Sequence, residues 1–186
     1  METDREMLWK EKLAKVRLLI LDVDGVLTDG RIIMDDDGRE IKHFDVRDGH
    51  GIKILQRFDI DVVFLTGRKS SVVEHRARDL GIREVHQQVW DKVAVFEGIL
   101  QRRNLAADQV AFVGDDVVDI PLQRRVGFSA APADAEEVVR RSVDCVTRRP
   151  GGRGAVREVC ELILRGRGFW EEVARRYDFI QLVDKT

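Results

Sequence analysis

Apolar residues recur along this chain in two distinct rhythms. Unbroken runs such as LLIL at 18–21, VVFL at 62–65 and VAFV at 110–113 are separated by stretches with an apolar position every three or four residues. The short runs predict strands buried on both faces, and the spaced pattern predicts amphipathic helices. Met7, Leu8, Leu13 and Val16 space a lead-in helix over residues 1 to 15. After the first strand, Ile32 and Met34 lie on one side of the turn DDDG and Ile41 and Phe44 on the other, which predicts a projecting β-hairpin. Its acidic turn lacks the ligand spacing of a calcium-binding EF-hand loop and reads as a solvated turn. Asp48 is expected to cap a helix from Gly49 to Phe58. The second strand then ends at Thr66-Gly67. Ser71-Val72-Val73-Glu74 matches a capping box for a helix that Gly81 closes. A short strand at Glu84 to His86 precedes Asp91, which suits the cap of a helix carrying Lys92, Val95, Phe96 and Ile99 and ended by Asn104. Beyond the strand QVAFV, Pro121 suits a first helical turn. GFSAAP and VDCVT read as two further short strands around a helix at Glu136 to Arg140. RPGGRGAVRE opens a helix running to Leu164, and Phe169, Val173 and Tyr177 space a final one.

Strands alternating with helices at this spacing predict an α/β fold: a Rossmann-like three-layer sandwich with a mostly parallel sheet, plus the hairpin and no cap domain. One domain is expected over residues 1–186, with a core at about 16–166, the helical lead-in at 1–15 and a tail at 167–186. Composition narrows the function. At 44% hydrophobic, 35% charged and a net charge of -2, the chain has no cationic excess for a nucleic-acid surface. Cys145 and Cys160 form no CxxC pair and read as free thiols in a reducing compartment. No apolar run is long enough to span a membrane, and METDREMLWKEK is too charged for a secretory signal. A cytoplasmic protein without nucleic-acid or membrane partners is expected.

The candidate chemistry lies where the strands stop. Asp22 and Asp24 follow the first strand, Thr66 the second, and Asp115, Asp116 and Asp119 the strand at 110–113, while Lys92 opens a helix. Parallel strands end along one edge of a sheet, so these residues converge despite their distance in sequence. Two close carboxylates repel, which raises a pKa or demands a cation. A carboxylate can attack phosphorus to give an acyl phosphate that water later cleaves. Attack on a phosphate anion calls for a hard divalent cation, and clustered carboxylates with room for water suit Mg²⁺. Threonine hydroxyl, backbone N–H groups beside a glycine such as Gly67, and lysine all bind phosphate oxygens. Asp24 is placed to protonate a leaving oxygen and then activate water.

DVDGVLTDG, LTGR, Lys92 and GDDVVDIP, in that order, resemble the four motifs of the haloacid dehalogenase superfamily of phosphotransferases. LLILDVDGVLTDG, FDVRDGHGIKIL, LTGRKSSVVEHRARDLGI, VAFVGDDVVDIPL and GGRGAVREVCELIL resemble, more closely, its 3-deoxy-D-manno-octulosonate 8-phosphate phosphatases over residues 16 to 166. The resemblance implies Mg²⁺-dependent hydrolysis of a sugar-acid phosphate on the route to the inner core of lipopolysaccharide. By the same resemblance, Asp22 matches the nucleophile, Asp24 the acid/base, and Thr66, Gly67 and Lys92 the phosphate binders. Asp115 matches a Mg²⁺ ligand, together with Asp22 and the backbone carbonyl of Asp24; Asp119 and Asp116 stand behind them. The sequence departs from the family at His50, where an aromatic residue often sits, and in the loop HQQVWDK; both bear on substrate fit. The gaps between motifs hold no lid, so the resemblance implies a homotetramer whose hairpins pack together and whose neighbouring subunits cover each site.

Arg68, Arg76, Arg153 and Arg157 are candidates for a substrate carboxylate, Arg68 foremost because it adjoins Thr66. Each is equally a solvated helix residue or a surface ion pair. His50 is the one histidine that invites a substrate role, whereas His43, His75 and His86 read as structural. Trp90 suits either a pocket wall or packing. Gly151, Gly152 and Gly154 suit helix entry or the approach of the tail to a neighbour's site. A receiver-like signalling domain is disfavoured, because here the DxD comes first and the acidic pair late. A non-catalytic oligomerisation module would have lost some of Asp22, Asp24, Lys92 or Asp115, and none is lost. A phosphatase of a nine-carbon sialic-type acid 9-phosphate shares the chemistry and differs only in the pocket. No GxGxxG follows the first strand, which argues against a dinucleotide site.

Overall fold

The computed structural model describes residues 4–183, with side chains from Trp9 onward, so Met7 and Leu8 lie outside the described side chains. Helix α1 (Asp4–Ala14) leads into strand β1 (Leu18–Leu21), followed by the hairpin β2 (Ile33–Met34) and β3 (Glu40–Ile41). Then come α2 (Val46–Arg57), β4 (Asp61–Leu65), α3 (Ser71–Leu80), β5 (Glu84–His86), α4 (Lys92–Arg103) and β6 (Val110–Val113). The chain continues with α5 (Ile120–Gln123), β7 (Phe128–Ala131), α6 (Glu137–Arg140), β8 (Cys145–Val146), α7 (Ala155–Gly166) and α8 (Trp170–Arg176). Six strands form one parallel sheet in the order β5-β4-β1-β6-β7-β8, and β2-β3 is a separate antiparallel ribbon. The fold is α/β with a Rossmann-like sheet, as the alternation predicts.

Alternation within β1 shows how the layers assemble. Leu19 and Leu21 pack with Phe64, Val113 and residues of α2, α3 and α7 on one face. Leu18 and Ile20 pack with Val63, Phe112, and Phe96 and Ile99 of α4 on the other. Burying each such side chain contributes roughly 1.5–3 kcal/mol, and a strand apolar on both faces can stand only at the centre of such a sandwich. β1 pairs with β4 on one side and β6 on the other, with Leu21 level with Phe64 and with Val113. The chain order reverses at β1, so its carboxyl end opens the crevice where such sheets place ligands.

Two helix starts differ from expectation. α2 begins at Val46 and is capped by Asp45, whose carboxylate accepts from Arg47 N, rather than by Asp48. Asp48 lies in the first turn of α2 and is 1% exposed. It accepts from the N–H groups of Gly154 at 3.2 Å and Arg157 at 2.7 Å, capping α7 from across the fold. α3 is preceded by Ser70 as its N-cap residue, without a side-chain capping bond, so Ser71 lies inside the helix and the expected box with Glu74 does not form. Asp91 does cap α4 through Ala94 N, and Gly81 and Asn104 take the left-handed conformation that ends α3 and α4. Among the described residues, no helix is long and apolar enough to cross a membrane.

Candidate active site

At the end of β1 the chain turns sharply around one carbonyl. The N–H groups of Val26, Leu27 and Thr28 all point to Val23 O, at 3.3, 2.9 and 3.1 Å. Gly25 has φ +78°, and a Cβ there would lie 2.0 Å from Asp115 Oδ2. Only glycine combines that conformation with so close an approach. The turn is held from behind by the glycine-rich stretch before α7: Gly152 N donates to Val26 O at 2.9 Å, and a Cβ on Gly151 would meet Gly25 O at 1.8 Å. These glycines serve the turn of their own chain.

The convergent residues line a cleft of about 310 Å³ that includes Asp22, Asp24, Thr66, Gly67, Arg68, Lys92, Asp115 and Asp116. Asp22 is 8% exposed. Its Oδ1 accepts from Val23 N at 2.6 Å and its Oδ2 from Lys92 Nζ at 2.7 Å. Lys92 also donates to Asp119 Oδ1 at 2.5 Å. Burial alone would lower the Lys92 pKa, but Asp22 and Asp119 outweigh it and hold the ammonium protonated. The other oxygen of Asp119, Oδ2, accepts from the N–H groups of Asp115 and Asp116 at 3.0 and 3.3 Å. Asp119 is therefore saturated by its own surroundings. It anchors Lys92 and shapes the loop after β6, leaving Asp22 and Asp115 to face the cleft. Asp116 is exposed and caps the short turn Val117–Asp119.

Oxygens of Asp22, Asp115 and Asp119 lie within 4.8 Å of one another. Burial first, then the charges of Asp22, Asp119 and Asp116, push the Asp115 carboxyl up to about 8. Burial likewise pushes Asp22 up, against the pull of Lys92. Three carboxyl groups around one ammonium leave a deficit of positive charge, and oxygen donors at this spacing fit a hard divalent cation.

Thr66 is 2% exposed, with its N–H donating to His86 O at 2.9 Å and its carbonyl accepting from Val89 N at 3.1 Å. Trp90 is 92% exposed at the mouth, where it walls the cleft with Val118 instead of packing in the core. Of the residues considered for a substrate carboxylate, Arg68 lines the cleft, with Nε 3.7 Å from Asp24 Oδ2 and an amino group 2.8 Å from Glu40 Oε1. Arg76 pairs with Asp79 and lies over the Phe44 ring. His50 packs edge-on to Tyr177, Arg153 offers its carbonyl to Arg47, and Arg157 pairs with Glu161. These four lie outside the cleft. Lys42 was not foreseen: its side chain is 1% exposed and pairs with Asp24 and Glu40. Its only sequence signal is strand alternation in EIK, which turns Ile41 outward and its two neighbours inward.

No family model matches the chain. A curated relative, the 3-deoxy-D-manno-octulosonate 8-phosphate phosphatase of Escherichia coli K12, is 48% identical over 161 residues, covering 87% of this chain and 86% of the relative. Among solved structures, a hydrolase of the haloacid dehalogenase superfamily, subfamily III A, from Legionella pneumophila superposes with a TM-score of 0.90 at 39% identity, covering 93% of this chain and 95% of that one. The Moraxella catarrhalis 3-deoxy-D-manno-octulosonate 8-phosphate phosphatase, solved in complex with magnesium, phosphate and the octulosonate itself, superposes with a TM-score of 0.87 at 37% identity, covering 90% and 97%. With identity at this level across almost the whole described fold, the chain belongs to the 3-deoxy-D-manno-octulosonate 8-phosphate phosphatase family of phosphoric monoester hydrolases, within the haloacid dehalogenase superfamily.

Proposed function

We propose that the protein hydrolyses 3-deoxy-D-manno-octulosonate 8-phosphate to the free sugar acid and phosphate, with Asp22 phosphorylated on the way. One observation carries this reading. Asp22 is a buried carboxylate that faces the cleft with an ammonium at 2.7 Å and a second carboxyl group beside it. Asp22 attacks phosphorus, and the bond to the sugar oxygen breaks as Asp24 gives that oxygen a proton. Asp24 then takes a proton from water, which attacks the aspartyl phosphate and releases inorganic phosphate. Lys92, Thr66 and the backbone around Gly67 bind the phosphoryl oxygens. Asp22, Asp115 and the main-chain carbonyl of Asp24 would hold Mg²⁺, which supplies the charge that lets an anionic nucleophile approach an anionic phosphate. Asp119 orders Lys92, and Asp116 stands at the rim.

Arg68, which lines the cleft, would meet the substrate carboxylate, since guanidinium pairs well with a planar acid. Residues 16 to 166 act as one phosphatase domain, with the helical lead-in and tail as additions to it. The cleft lies open, and Ile32, Met34 and Ile41 leave the hairpin's apolar face 60%, 59% and 44% exposed. Packing of hairpins in a homotetramer would cover that face and bring neighbours over the site, in a cytoplasmic enzyme feeding the lipopolysaccharide inner core.

The test is phosphate release from a panel of eight- and nine-carbon sugar-acid phosphates, compared by kcat/KM with Mg²⁺ and with excess chelator. The eight-carbon 8-phosphate is expected to lead the panel, and chelation to abolish turnover reversibly. Preference for a nine-carbon 9-phosphate would refute the substrate, and full activity in chelator would refute the metal.

A further inference from the structure

The reaction described above uses Asp24 but leaves unexplained what holds its side chain. Asp24 belongs to a closed ring of alternating charges. Lys42 pairs with Asp24 Oδ1, and its Nζ lies 3.2 Å from Glu40 Oε1. Glu40 Oε1 accepts from Arg68 at 2.8 Å, and Arg68 Nε returns to within 3.7 Å of Asp24 Oδ2. The members are not equally buried. The Lys42 side chain is 1% exposed, against 25% for Asp24 and 39% for Arg68.

A buried ammonium is costly unless its charge is met and its donors are used, and here two carboxylates do both. The pair on the buried side is therefore the rigid half of the ring. It holds Oδ1, while Oδ2 has the looser arginine at 3.7 Å, in a residue that lines the cleft. Glu40 offsets the charge of Lys42, so the ring orients Asp24 without a net cation bound to it.

We infer that Lys42 is a positioning residue for Asp24: reaching in from the hairpin, it fixes one carboxyl oxygen so that the other is presented to the leaving oxygen of the phosphate ester. The inference rests on the reading of Asp24 as the acid. It also links the hairpin to the chemistry. β3 carries Glu40 inward and Ile41 outward, so the element that exposes an apolar face also carries the support of the acid.

A group that serves only by orienting the acid matters in proportion to how much the leaving group needs a proton. A sugar alkoxide needs one, whereas p-nitrophenolate leaves without it. The ratio kcat/KM reports the steps through release of the leaving group, so the two substrates are compared in wild type, Lys42→Met, Lys42→Arg and Asp24→Asn. Lys42→Met is expected to lower kcat/KM for the eight-carbon sugar phosphate about 10²-fold, the scale of a misplaced catalytic group. The value of kcat/KM for p-nitrophenyl phosphate should stay near that of the wild type, and Lys42→Arg should recover part of the loss. Equal losses on both substrates would show a merely structural ion pair and overturn the inference, as would no loss on either. If Lys42→Met does not fold, the charge-balanced pair Lys42→Met with Glu40→Gln is read by the same criterion. Asp24→Asn separates the two layers of the argument. Selective loss in Asp24→Asn without selective loss in the lysine variants overturns the role of Lys42 alone. Retention of sugar-phosphate turnover in Asp24→Asn removes the acid reading, and the inference with it.

Discussion

At the scale of single residues, the electrostatics of Asp115 and Asp22 carry a measurable consequence. A carboxyl group with a folded pKa above its unfolded value holds its proton longer in the native state. Between the ordinary 3.8 and about 8 for Asp115, the folded protein therefore binds more protons than the unfolded chain, and metal-free stability falls as pH rises. A divalent cation prefers the deprotonated site, so its stabilising effect grows across the same window. Thermal denaturation in chelator and in saturating Mg²⁺ should show little gain from the ion at pH 5 and a larger gain at pH 8. An equal gain at both would contradict this description of the site. The residues involved were legible in the sequence because strand ends are: an apolar run that stops at an acid places that acid at the sheet edge. Lys42 was not legible in the same way, since a two-residue strand offers almost no periodicity and a lysine there reads as solvated. Arg76, His50 and Arg153 illustrate the converse. Helix and loop residues are placed by packing rather than by strand ends, and packing takes these three away from the cleft.

At the scale of elements, α2 packs against α7, and the glycine-rich stretch that enters α7 backs the turn after β1. Gly51 lets α2 approach α7, where a Cβ would come within 3.2 Å of Cys160 Cβ, and Asp48 closes the junction by accepting two α7 N–H groups. Asp48→Ala leaves those donors buried and unmet, and is expected to cost about 2 kcal/mol in denaturant unfolding. Asp48→Asn keeps an acceptor and should cost much less. Gly151→Ala should act differently, because its new methyl group would displace Gly25 and with it the approach to Asp115. It is expected to remove most activity while leaving a folded protein by circular dichroism; wild-type turnover would contradict the support assigned to this loop. The sequence pattern locates this helix and its glycines, but by local spacing Asp48 reads as a cap for its own helix. Local spacing cannot distinguish a residue that caps the helix it precedes from one that caps a helix more than a hundred residues away.

At the scale of the whole molecule, the fold was readable because most sheet strands are short apolar runs alternating with helices, and parallel strands so arranged have few alternatives. What the pattern left open was the use of the hairpin, whose outward residues Ile32 and Met34 have no covering element among the described residues. Charging them, as in Ile32→Lys with Met34→Glu, is expected to dissociate the proposed tetramer in sedimentation and to lower activity with it; a wild-type protein that sediments as a fully active monomer would contradict that proposal. The proposed function puts a single covalent step at the end of β1. The most direct measurement is rapid acid quench of the protein turning over substrate labelled in its phosphoryl group, followed by peptide mapping of the trapped label. The account predicts transient phosphorylation of Asp22 and its loss in Asp22→Asn, with the fold intact. Label on another side chain, or turnover without any trapped phosphoryl protein, would contradict it.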